Sequence, residues 1–139
     1  MSNLFENIFE YQNKHFTGND VINYIEKMDP EKPVFFADTV EGFHDRQAFP
    51  VNDFFSWRGS YDKPSISSSG RKVYTGSELV EELNEFFSSV QTGWKGGEFA
   101  MDAYDELWCD AKGSYNEKGV SGVVECDEAI YIVIGQFKY

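Results

Sequence analysis

The stretch Thr75 to Val90, "TGSELVEELNEFFSSV", decides the fold class. It opens on a capping box: the Thr75 hydroxyl can accept from the Glu78 amide while the Glu78 carboxylate reaches back to the Thr75 amide. Leu79, Val80, Leu83, Phe86, Phe87 and Val90 recur at helical spacing and make one apolar stripe. Glu81, Glu82 and Glu85 fall mostly on the opposite face, and Gly93 is placed to stop the helix. Such a helix needs an apolar surface to cover, and its neighbours supply strands. Downstream, "EFAM" and "ELWCD" are strand candidates, and "GVSGVVEC" and "EAIYIVIGQFKY" flank Asp127-Glu128 as a C-terminal β-hairpin. Upstream, "VFFAD" (Val34 to Asp38) and "FPVNDFFSW" (Phe49 to Trp57) each suggest one strand. "LFENIFEYQNKH" (Leu4 to His15) has helical spacing, a second short helix is expected from about Asp20 to Met28, and "DPEKP" breaks the chain after it. The expected architecture is a single α+β domain over residues 1–139. It has a mostly antiparallel sheet, an N-terminal helical segment over about 1–30, and a body over about 31–139 with one central amphipathic helix.

Composition narrows the function classes. Aromatic residues make up 17% of the 139-residue chain, enough for a substantial core without staples. The formal net charge of -12 disfavours long nucleic acid and anionic membranes. Cys109 and Cys126 are too few for a disulfide framework or a zinc site and suit small core positions. No apolar run is long enough to span a bilayer and no signal peptide is recognisable, so a cytoplasmic protein with reduced thiols is expected.

The charge is unevenly spread. From Ser56 to Gly76 the cations Arg58, Lys63, Arg71 and Lys72 face one acid, Asp62, a local charge of +3. From Glu98 to Glu117 six acids stand against Lys112, a local charge of -5. The basic island also holds Trp57, Tyr61 and Tyr74, and the run Ser65, Ser67, Ser68, Ser69 and Gly70, expected as a flexible loop of hydroxyl and amide donors. Arginine forks suit phosphate and aromatic faces suit bases. The plainer alternative pairs Arg58 and Lys72 with nearby acids and buries Trp57.

"GWKGGEFAMD", Gly93 to Asp102, sets Trp94 and Lys95 among glycines. Gly93 is explained as a helix stop, but Gly96 and Gly97 are not. They leave backbone amides open beside an aromatic face and an ammonium, which suits an anionic ring ligand. A tight turn into the following strand is the alternative. Neither a P-loop nor a dinucleotide fingerprint is present.

At these residues the chain resembles a widespread group of small tailed-phage proteins with an S-[YW]-R-G-x-Y segment, a helix, and G-[YW]-K-G-G-[DE]-[FY]-x-M. Ser56, Trp57, Arg58, Gly59 and Tyr61 match the first motif; Gly93 to Phe99 and Met101 match the second. The resemblance covers roughly the second half of the chain. Many members carry Thr-Pro-Val-Trp after the second motif, whereas Asp105-Glu106-Leu107-Trp108 keeps only the tryptophan. The group is similar to, or overlaps, the anti-CBASS nucleotide sponges, phage proteins that sequester cyclic nucleotide signals of bacterial defence without cutting them. The resemblance implies a homo-oligomer, for example a tetramer, in the cytoplasm of an infected bacterium. It also implies a bound cyclic dinucleotide such as cyclic GMP–AMP, with no cofactor, metal or catalysis. Under it, Trp57, Tyr61 and Trp94 would contact bases, and Arg58, Arg71 and Lys95 phosphates or base edges. Phe99 would line the pocket or serve as a core strand residue, and Glu98 would accept from a guanine edge or pair with Lys95.

Three rival readings use the same residues. An acidic inhibitor of a basic host protein, such as a DNA mimic of anti-restriction or anti-CRISPR type, would use the acids between Glu98 and Glu117. An enzyme would need more than His15, His44 and Asp45, which do not make a nucleophile–base–orienter set. A virion assembly module would use the aromatics at subunit contacts.

Overall fold

A computed structural model describes residues 14–38, 48–50, 54–57, 63–67, 73–92, 97–110 and 118–137. In chain order the elements are α1 (Gly18–Glu26), β1 (Val34–Asp38), β2 (Ala48–Pro50), β3 (Phe54–Trp57) and β4 (Lys63–Ser67). They continue with α2 (Gly76–Ser88), β5 (Gln91–Thr92), β6 (Glu98–Phe99), β7 (Trp108–Asp110), β8 (Lys118–Glu125) and β9 (Ile130–Gln136). The helix expected over Leu4 to His15 lies almost wholly outside the described residues; Lys14 and His15 are not helical.

Both described helices begin on capping boxes. At α2 the Thr75 amide donates to Glu78 Oε1 over 3.0 Å and the Glu78 amide to Thr75 Oγ1 over 3.3 Å. At α1 the same reciprocal pair joins Thr17 and Asp20. An aspartate in place of the longer Glu or Gln hid that box in the sequence, so α1 starts two residues before the expected Asp20. Phe16 and Val21 occupy the positions of a hydrophobic staple and both are buried. Of the stripe on α2, Leu79, Leu83 and Phe86 are buried, and Val80 and Phe87 are partly buried against the core. Val90 lies beyond the helix end at Ser88 and is exposed.

The larger sheet runs β2-β1-β9-β8-β7-β4-β3, and β5 and β6 form a separate two-stranded ribbon. The sheet is mixed, where a mostly antiparallel one was expected. β1 lies parallel to β9, with Val34 opposite Ile130, and β4 lies parallel to β7, with Ser65 opposite Trp108. The terminal hairpin β8–β9 is antiparallel, with a register shift between Val120 and Gly122. β9 is an interior strand, apolar from Ile130 to Ile134. Ile130, Ile132 and Ile134 pack with α1 and α2 in the main core, while Val133 is buried with Ala37 on the other face. Burial on both faces explains why "IYIVIG" lacks strict alternation.

The expected strand Phe49 to Trp57 is two strands on opposite edges of this sheet. Three residues separate Pro50 from Phe54, a reach of at most about 14 Å. Six flat inter-strand steps would span roughly 29 Å. The sheet must therefore coil until its two edges approach at that corner, a consequence of strong strand twist.

Candidate ligand-binding site

The two motifs occupy the ends of two β-ribbons. Trp57 closes β3 and is the register partner of Lys63, so residues 58–62 join the strands of an antiparallel hairpin. Residues 93–97 join β5 to β6, where Thr92 pairs with Glu98 and Gln91 with Phe99. Arg58, Tyr61, Arg71, Trp94 and Lys95 lie outside the described residues. Glu98 is exposed on β6. The ribbon geometry sets Trp57, Glu98 and Phe99 at positions on β3 and β6.

Gly97 bears on the question that the bare backbone raises. It is exposed, its φ lies outside the left-handed region, and a Cβ built there would meet no atom within 4 Å. Neither backbone conformation nor crowding demands glycine at that position.

Two expectations about the island are corrected. Ser65 and Ser67 are not on a loop: both lie in β4, where Ser65 has no exposed surface and its Oγ has no hydrogen-bond partner among the described residues. Pro64 and Ile66 beside it are buried too, and burial in a sheet outweighs the turn preference of serine. Tyr74 is a core residue, 8% exposed, and its carbonyl accepts from the Val34 amide over 2.8 Å. It offers no face to a ligand. Ser68, Ser69 and Gly70 lie outside the described residues. Met101 of the second motif is buried and serves packing.

The acidic stretch is partly structural. The Asp105 and Ala103 carbonyls accept from the Gly18 and Asn19 amides, two of the unsatisfied donors at the start of α1. Asp102 Oδ1 accepts from the Tyr104 amide over 2.9 Å and shapes the turn. Asp102, Tyr104 and Glu106 remain exposed, whereas Leu107, Trp108 and Cys109 are buried.

A polar centre with no local signature lies near the head of β8. His15 Nε2 is 2.9 Å from the Leu107 carbonyl, and Nδ1 is 3.4 Å from Glu106 Oε2. The ring stacks on Phe137 at 4.1 Å and meets the edge of Trp108 at 4.6 Å. His15 and Leu107 are 92 positions apart, and the bridge of Thr17 to Glu106 and the bond from the Leu107 amide to the Phe16 carbonyl bring them together. His44 lies outside the described residues.

Cys109 is buried and Cys126 is half-buried. Among the described residues no three His, Cys, Asp or Glu side chains are grouped to hold a metal ion. Among those residues, too, no helix is long and apolar enough to cross a membrane. No protein-family model, no curated protein and no solved structure matches the chain.

Proposed function

We propose that this protein binds a cyclic dinucleotide between its two motif segments and holds it uncleaved, as a phage counter-defence sponge against CBASS-type signalling. The observation that carries the reading is Gly97, a glycine that the fold does not require, shortly after Trp94 and Lys95 in the sequence. An open backbone close in sequence to an aromatic side chain and an ammonium suits a flat anionic ligand. The ends of the β3–β4 hairpin and the β5–β6 ribbon carry the groups of both motifs, and a site on connecting segments borne by paired strands is a common arrangement.

Magnitudes point to a shared site. A base stacked on an aromatic side chain is worth ~1–3 kcal/mol. A charged hydrogen bond adds ~1.5–3 kcal/mol. Two of each give ~5–12 kcal/mol before ordering costs, whereas nanomolar affinity needs about 12 kcal/mol net. A second subunit closing the pocket supplies the difference, so the binding form is a homo-oligomer, for example a tetramer. The reading is of a non-catalytic protein acting in the host cytoplasm.

Calorimetry against a panel of cyclic di- and trinucleotides tests this, followed by heating the complex and identifying what is released. Tight binding with intact ligand recovered supports the sponge. A shortened or linearised product means an enzyme. Silence across the panel turns attention to the exposed Asp102, Tyr104 and Glu106, which suit a basic host protein that pull-down at low salt would capture.

A further inference from the structure

The larger sheet has two faces, and the two described helices take only one. Val21 and Ile25 of α1 and Leu79 and Leu83 of α2 pack with Phe36 and Ile132 on the first face. Alternation sends Ala37, Ser65, Trp108, Gly119, Val133 and Gly135 to the second. Ala37, Ser65 and Val133 have no exposed surface, and that burial is complete within a single chain. Among the described residues, the hydrophobic side chains packed with Ala37 and Val133 are Val124 and Tyr131, both only partly buried. Full burial on a sheet face needs a covering layer, and neither described helix supplies it.

The chain enters on that second face. The ring of His15 stands where a Cβ on Gly119 would point, stacks on Phe137 and meets the edge of Trp108. Phe16, the next residue, lies on the first face in the main core. Its amide donates to the Val120 carbonyl and its carbonyl accepts from the Leu107 amide, so its backbone is wedged between those two residues. Immediately beyond them Trp108 and Gly119 are register partners, and the sheet is closed. The chain upstream of His15 must therefore leave the plane of the sheet. The first face is filled by α1 and α2, and the second is where His15 already sits.

Residues 4–13 suit that face. Leu4, Phe5, Ile8 and Phe9 make an apolar stripe at helical spacing, with Glu6 and Glu10 opposite. No other segment outside the described residues carries four apolar residues in such a pattern. A ten-residue helix is about 15 Å long. β1 lies two strands from β8 in the sheet order, roughly 10 Å across. A helix running back from His15 thus spans β8 and β9 and reaches Ala37. We propose that residues 4–13 dock on the second face as a helix, setting Phe5, Ile8 and Phe9 against Ala37, Val133 and Tyr131, and complete a three-layered domain. Large side chains on the helix meet small ones on the sheet, as close packing requires. So short a helix is marginal alone in water, so its formation and its docking are one event.

Nuclear magnetic resonance of the full chain, with labelled methyl groups, tests the docking. The expected result is nuclear Overhauser contacts from the Ala37 and Val133 methyls to Ile8 and Phe9. Amide exchange at residues 8–13 should be slowed at least about tenfold relative to an unstructured chain. Ile8→Asp should abolish that protection and shift the Val133 methyl signals, whereas Glu10→Gln, on the outer side, should change neither. Unprotected amides at residues 8–13 in the unaltered chain, or protection that survives Ile8→Asp, would overturn the proposal. So would contacts seen only between labelled and unlabelled chains in a mixed sample, which would make a second copy the cover.

Discussion

The ring of His15 occupies the room that a side chain on Gly119 would need: a Cβ built on Gly119 would overlap Nε2 and crowd Phe137. The glycine is a condition for seating the histidine. Gly119→Ala should cost about 1–3 kcal/mol by overpacking a closed site. Urea denaturation measures the loss, and the ring signals of His15 should shift as its stacking on Phe137 is broken. Gly135→Ala is the milder control, since its Cβ would lie 3.3 Å from Ser121.

For the binding site, Arg58→Ala and Lys95→Ala should each weaken cyclic dinucleotide binding by at least about tenfold, the effect of one charged hydrogen bond. Both should leave the circular dichroism spectrum unchanged. Full affinity in both would put the pocket elsewhere.

Gly97→Ala separates a ligand role from a turn role. The backbone accepts alanine there and no atom lies in its way, so thermal stability should hold or rise by up to about 1 kcal/mol. If the open backbone serves the ligand, affinity should fall even so. Unchanged affinity would make Gly97 a bystander.

Thr75→Ala removes one half of the α2 capping box and should cost about 1 kcal/mol. Leu83→Ala, at a fully buried position on the same helix, should cost about 2–5 kcal/mol. Chemical denaturation of the two variants gives the comparison; equal losses would mean that α2 is held by its cap rather than its stripe.

Glu125 supplies a pH test. Its carboxyl is held below the usual carboxylate range, chiefly by the Asp29 amide, with burial opposing and Lys32 at 3.2 Å assisting. A lowered carboxyl contributes stability above its unfolded titration range that is lost as pH falls through the folded one. The group is about a third exposed, so solvent screening holds the contribution to ~1 kcal/mol or less. Glu125→Gln should therefore destabilise slightly at neutral pH and progressively less as pH falls through the lowered titration range, by urea titration across that range.

Local chemistry was legible and partnership was not. The Thr75 box, the strand Val34–Asp38 and the hairpin around Asp127-Glu128 all announce themselves within a few residues. The break inside Phe49 to Trp57 had a signal, the Asn52-Asp53 pair, which favours turns but was outweighed by the aromatics around it. The parallel pairings of β1 with β9 and β4 with β7 had none, because alternation shows that a strand exists and not which strand it meets. Ser65 was misplaced for the related reason that a serine in a buried strand looks like a serine in a loop. The setting of His15 depends on another distant contact, the bridge of Thr17 to Glu106.

The interior position of β9 bears on how the chain is made. β1 leaves the ribosome well before its parallel partner, with Val34 awaiting Ile130 96 positions later. At ~5–20 residues per second, β1 stays unpaired on that side for several seconds or more. An apolar strand left open for so long invites chaperones or a premature neighbour. Completion of the sheet therefore waits for β9 to emerge, as expected for a topology dominated by distant contacts.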